Sequence, residues 1–315
     1  MISLLVGAAV GLVVSIFGTH YAIGFFRRRS IGQFIQEEIA GMHGHKQGTP
    51  TMGGIVFVLA AIIGYVASHF RFVSDGGLTF EVREFAPGGL LAIFALAGMA
   101  VVGLLDDWVK ITNRRSLGLS RTAKFGGQLG IAAIFAWGAT AAGVVTEISF
   151  VRPLGIDLGV FFVVWVLIML TGSANGVNLA DGMDGLAAGS AVLVVASYTV
   201  IAFWQFRNPG AYDAVDPLEL AVVSAAMFGA ILGFLWWNAA PAQIIMGDVG
   251  SQGIGGLLAA LALLTNTQLL LVVLGAIYVA ETLSVILQVA SFKLTGKRIF
   301  RMSPLHFHFD LGGWP

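Results

Sequence analysis

Residues 2–29 read ISLLVGAAVGLVVSIFGTHYAIGFFRRR. About 20 consecutive apolar residues cross the ~30 Å hydrocarbon core of a bilayer as a helix. This run has that length, lacks the basic start of a signal peptide, and closes on Arg27, Arg28 and Arg29, so it is read as a first span with a cytoplasmic anchor. The rest of the chain repeats the pattern. Of its 315 residues, 57% are hydrophobic and 11% charged, whereas a soluble domain carries roughly 25% charged residues. With a mean hydropathy of +0.88, the sequence predicts an all-α, polytopic membrane helix bundle forming one domain over 1–315. There is no cysteine, which excludes disulfide and thiolate chemistry. The 42 glycines suit close helix contact in lipid and active-site loops alike.

Nine spans are predicted: 2–26, 52–70, 87–105, 125–145, 158–174, 185–206, 220–237, 250–265 and 268–290, with the last two as an antiparallel pair. Placing Arg27–Arg29 inside makes 27–51, 106–124, 175–184, 238–249 and 291–315 cytoplasmic. These segments hold 13 of the 17 Lys and Arg residues, which sets the N-terminus outside. The segments 175–184 and 238–249 have no Lys or Arg, yet carry Asp, Asn and Gly.

Chemistry collects at these inner ends. Asp106 and Asp107 end the third span in GLLDDWVKI (103–111). Adjacent carboxylates at a membrane edge are costly unless paired, and Mg²⁺ is the hard cation that takes them together with substrate phosphates. The plainer reading is a solvated helix end with Lys110 as partner. Asp181 and Asp184, three apart, share a face if the turn is helical, with Asn178 just before them in NGVNLADGMDGLAAG (175–189). An ordinary Asn/Asp/Gly turn is the alternative. Asp248 opens the eighth span in FLWWNAAPAQIIMGDVGS (234–251), where free N–H groups favour an anion, or merely cap a helix. Asn238 lies at the other end of that loop, as a helix terminus or a nucleotide contact. In GHKQGTPTMGG (44–54), Lys46 and the Thr49 and Thr51 hydroxyls suit phosphate oxygens, against a snorkelling lysine and a Thr-Pro helix start. The run Lys110, Arg114, Arg115, Arg121 and Lys124 in and before LGLSRTAKFGGQ (117–128) reads as headgroup anchoring, with Lys124 nearest a span and so the candidate substrate contact. His306, His308 and Asp310 in RMSPLHFHFDLGGW (301–314) share a face if extended, and a zinc site lacks any supporting motif. Glu281 within the ninth span suggests a helix–helix hydrogen bond or a polar cavity, and Gln288 could reach a base edge.

Taken in order, these six motifs resemble the polyprenyl-phosphate N-acetylhexosamine-1-phosphate transferases over the whole chain, with HKQGTPTMGG and the PLHxHF tail favouring the muramoyl-pentapeptide branch. The resemblance implies a bacterial inner-membrane enzyme with a cytoplasmic active site. Undecaprenyl phosphate attacks the β-phosphate of UDP-N-acetylmuramoyl-pentapeptide with Mg²⁺ present (Mn²⁺ substituting), releasing UMP and forming lipid I. Membrane lipid and a homodimer partner are implied, and no nucleic acid. By the family's pattern Asp248 is the direct metal ligand. Asp106 and Asp107 lie in the metal and lipid-phosphate region, with neither singled out as base. Asp181, Asn178 and Asp184 belong to the same pocket, and Asn238 and Lys46 support the nucleotide and phosphates. Lys124, Thr51, His306 and His308 are substrate contacts and Gln288 reads uracil. Two positions depart from the pattern: Phe307 replaces the middle of three histidines, and Ile245 replaces an aromatic residue before Met-Gly-Asp. The family continues past GGW into a tenth span, so a chain ending at Pro315 is expected to have its C-terminus inside and to lose stability or a dimer surface. Two rivals remain: a sibling transferase using UDP-GlcNAc, and an ion-coupled transporter, which would place its carboxylates nearer the midplane.

Overall fold

In the computed structural model, which describes residues 1–29, 32, 48–74 and 78–313, helices follow the apolar runs. They are α1 (Ile2–Arg28), α2 (Gly54–Ala67), α3 (Pro87–Thr112), α4 (Arg121–Ala141), α5 (Phe162–Ala180), α6 (Leu186–Arg207), α7 (Pro217–Asn238), α8 (Gly247–Leu264), α9 (Leu270–Leu274), α10 (Ala276–Thr295) and α11 (Leu305–Asp310). Seven of them, α1, α3, α5, α6, α7, α8 and α10, are long and apolar enough to cross a membrane. Local chemistry sets the ends. Proline stands at the start of α3 and α7, where its missing N–H costs nothing. The Ser120 hydroxyl accepts from the Ala123 N–H and caps α4.

α8 is the hub. Every residue from Val249 to Leu264 is buried, with α3 packed along one side and α5 along another, while α7 binds α1, α2 and α6 together. Lipid tails are as apolar as leucine, so such a core is held by close packing of small residues rather than by a hydrophobic drive. At Gly103 the α3 backbone touches α8 so closely that an added Cβ would overlap the Asp248 carbonyl. That contact lies one turn from Asp106 and Asp107.

Two antiparallel hairpins supplement the helices: β1 (Phe70–Ser74) with β2 (Leu78–Val82), and β3 (Glu147–Ser149) with β4 (Pro153–Asp157). They precede α3 and α5, at the end of the bundle away from the acidic residues. There too Glu219 accepts from the Tyr65 hydroxyl at 2.6 Å, meets His69 Nε2 at 3.1 Å and pairs with Arg83.

The structure corrects four local expectations. α3 continues two turns beyond residue 105, because a helix need not stop where the apolar run does. The predicted span 268–290 is divided into α9 and α10 at Gly275, and α10 packs on α5 rather than pairing with α8. Residues 181–185 form turns after the end of α5, so Asp181 and Asp184 are not on one helical face. Residues 305–310 are helical, not extended, which separates His308 from the face shared by His306 and Asp310.

Candidate active site

Helix ends build the site. α3 runs into it and α8 starts from it in the opposite sense. Gly247 makes the turn with φ +71, in the left-handed region open to glycine, and a Cβ there would lie 2.5 Å from Asp107 Oδ2. The first N–H groups of a helix lack intrahelical partners. In α8 the Val249 N–H donates to Asp107 Oδ2 at 3.1 Å, so a carboxylate of α3 caps α8. The loop after α3 folds back, and the Leu119 N–H donates to Asp106 Oδ1 at 3.0 Å. Asp106 and Asp107 are buried, Asp248 is partly exposed, and one oxygen from each of the three lies within 4.8 Å of the others.

Among the described residues, two ammonium groups serve these three carboxylates. Lys110 Nζ, one turn beyond the Asp pair, is 2.7 Å from Asp106 Oδ2, 3.3 Å from Asp107 Oδ1 and 3.0 Å from Asp248 Oδ1. Lys124, on the first turn of α4, pairs with Asp248 Oδ2 and lies 3.9 Å from Asp106 Oδ1. Asn178, on the last turn of α5, donates to Asp248 Oδ1 at 3.1 Å and to Ser251 Oγ at 2.8 Å. One turn deeper, Gln128 of α4 donates to Gln252 of α8 at 2.7 Å and accepts from Asn175 of α5 at 3.0 Å. That layer locks the three helices bearing Lys124, Asp248 and Asn178.

The other predicted residues border this core in different ways. Asp184 accepts the Ala242 N–H at 3.0 Å, and Asn238 donates to the Ile244 carbonyl at 2.9 Å, so both brace the loop leading to Asp248. Thr51 lies in a segment laid against that loop: Ile245 N–H donates to the Pro50 carbonyl at 2.8 Å and Gly53 N–H to the Ile245 carbonyl at 2.9 Å. Asp181 directly follows α5, three residues after Asn178. His306 packs its ring against Gly182 in the same turn, donates its N–H to Glu281 at 3.2 Å, and holds Nδ1 3.2 Å from that carboxylate. Gln288 uses its amide on the chain's own backbone, accepting from Ile299 and Phe300 and donating to the Phe300 carbonyl. His308 Nδ1 accepts the Arg301 N–H at 3.1 Å. Lys46 lies outside the described residues.

Three contributors have roles here that their local sequence does not fully show. Lys110, by its sequence either a partner of the Asp pair or a headgroup anchor, stands at i+4 from Asp106 and i+3 from Asp107 and pairs with both, and it also reaches Asp248. Ser251 and the Gln128–Asn175–Gln252 layer had no local signal, since only convergence of α4, α5 and α8 brings them together.

A cluster of carboxylates, lysines and an asparagine at the mouth of a membrane bundle suits phosphate chemistry, and the family comparison agrees. The glycosyl transferase family 4 profile matches residues 90–266, spanning both Asp106 and Asp248. The bundle is thus a membrane transferase of that class. A phospho-N-acetylmuramoyl-pentapeptide-transferase signature matches residues 46–58. Proteins of that name from Streptomyces griseus and Kineococcus radiotolerans are 46% and 48% identical, each aligned over 100% of this chain and 91% of its own length. One from Streptomyces coelicolor is 45% identical with the same coverage. The chain belongs to the phospho-N-acetylmuramoyl-pentapeptide-transferase family.

Proposed function

We propose that the protein transfers phospho-N-acetylmuramoyl-pentapeptide from its UDP derivative to undecaprenyl phosphate, giving UMP and lipid I for peptidoglycan synthesis. The reaction takes place at the cytoplasmic face of a bacterial cell membrane. The observation that carries the reading is the convergence of Asp106, Asp107 and Asp248 with Lys124 and Asn178 inside the matched region.

Phosphoryl transfer depends on positioning and charge neutralisation more than on covalent help from the protein. The donor set suits Mg²⁺, with Mn²⁺ able to replace it: three hard carboxylate oxygens within 4.8 Å of one another, with room for substrate oxygens at the partly exposed Asp248. Asp106, Asp107 and Asp248 would hold that ion, which when bound neutralises the diphosphate and stabilises the departing UMP. Asn178 fixes the Asp248 carboxylate, and Lys124 offers an ammonium to a phosphate oxygen from the rim. A phosphate monoester is largely ionised at pH 7, so the lipid phosphate needs orientation more than deprotonation, and Asp106 and Asp107 act by position. Direct displacement then inverts configuration at phosphorus, whereas a phospho-aspartyl route would retain it.

The test is incubation of purified protein with polyprenyl phosphate and, separately, UDP-N-acetylmuramoyl-pentapeptide and UDP-GlcNAc, with UMP measured. Release with the muramoyl substrate alone is expected. Release with UDP-GlcNAc alone, or with neither, contradicts the proposal.

A further inference from the structure

Lys110 stands at the centre of the acidic trio. Its ammonium touches Asp106 at 2.7 Å, Asp248 at 3.0 Å and Asp107 at 3.3 Å. It therefore contacts every side chain assigned above to the divalent cation. From this geometry we propose that Lys110 is a resident counter-ion, filling the divalent-cation position until the metal and the donor's diphosphate displace it together. The inference rests on the reading of Asp106, Asp107 and Asp248 as the metal site.

Exclusion is steric and electrostatic. Magnesium requires oxygens at about 2.0–2.1 Å in near-octahedral array, and an ammonium in contact with the same oxygens occupies that volume and repels the ion. A need for the lysine is equally plain. Asp106 and Asp107 are each 3% exposed, and buried carboxylates without a counter-charge are strongly destabilising. Lys124 reaches Asp248 and Asp106, whereas among the described residues the ammonium that meets Asp107 is that of Lys110. The structure also leaves an exit. The Lys110 side chain is 27% exposed, it projects from the last turns of α3, and its four-carbon stem is flexible. An incoming diphosphate supplies the negative charge onto which the ammonium can swing. Metal and donor then bind with positive coupling, and linkage makes that coupling reciprocal.

The test measures Mn²⁺ binding to the full chain in detergent by electron paramagnetic resonance, without nucleotide, for the wild type, Lys110→Met and Asp248→Asn. Lys110→Met is expected to tighten Mn²⁺ about tenfold, within the usual range of coupling between two sites. Unchanged or weaker binding by Lys110→Met overturns the proposal. Asp248→Asn binding Mn²⁺ as tightly as the wild type would instead remove the metal site itself, and the inference with it. A second measurement covers poor folding of the variant: acylation of Lys110 in the wild-type protein, followed by peptide mass spectrometry. Reactivity should rise several-fold on saturation with Mn²⁺, and no change at saturation overturns the proposal.

Discussion

The two ends of the bundle both gather buried carboxylates and use them oppositely. At the hairpin end Glu219 is met by Tyr65, His69 and Arg83, while Asp216 accepts the Gly88 N–H at 2.9 Å. Donors outnumber acids, and α2, α3 and α7 are tied into one unit. At the other end, among the described residues, the three carboxylates of Asp106, Asp107 and Asp248 crowd together around Lys110 and Lys124, with Asp248 partly exposed. A saturated polar cluster in a low-dielectric interior fixes elements in place. Three carboxylates with oxygens within 4.8 Å of one another are suited to a cationic ligand, and that crowding separates the candidate site from the Glu219 cluster.

The sharpest way to break this contrast is Asp248→Asn, which removes the charge of a proposed metal ligand at constant size. UMP release should fall by about 10²–10³-fold, the scale of losing a main electrostatic stabiliser, with the melting temperature nearly unchanged. Retained turnover would take Asp248 out of the metal site. Glu219→Ala should do the reverse. It strands Arg83 and the Tyr65 hydroxyl and should cost about 3–5 kcal/mol of stability, read as a large drop in melting temperature with the folded fraction fully active. A deep loss of turnover in protein of unchanged stability would erase the distinction between the ends. Asp107→Asn should fall between them. It reduces activity and also weakens the cap on α8, by about 1 kcal/mol, so turnover and melting temperature should decline together. The smallest effect is expected from Gln128→Leu, which leaves the Gln252 and Asn175 amides short of a partner at about 1–2 kcal/mol. Its kcat should fall a few-fold with KM steady.

Much of this was legible in the sequence because lipid leaves a chain few options. A spanning segment must satisfy its backbone internally, so runs of about 20 apolar residues locate helices. Each of the nine predicted segments overlaps one, although α2 is only 14 residues long. Asp106, Asp107 and Asp248 stood out because carboxylates beside a bilayer are costly. What hydropathy hid was shape. The β1–β2 region alternates, with Phe70, Phe72, Phe80 and Val82 flanking Asp75-Gly76-Gly77, a hairpin signal swamped by the overall apolarity. In the tail, a period of two suggested an extended strip, but Pro304 stands at the N-cap of a short helix. Gln288 looked like a base reader because only its depth in α10 was visible, not the backbone of Ile299 and Phe300 folding onto it. Lys110 is legible as a partner of Asp106 and Asp107, but its contact with Asp248 exists only because α8 lies against α3.

α3 and α8 are proposed to present together a divalent-cation site on which transfer depends. Its most direct test strips the purified enzyme with a chelator, supplies UDP-N-acetylmuramoyl-pentapeptide and undecaprenyl phosphate, and follows UMP as Mg²⁺ is returned. The account predicts no turnover in chelator and saturable recovery in the wild type, with no recovery in Asp248→Asn. Full turnover by the stripped wild-type enzyme would contradict it.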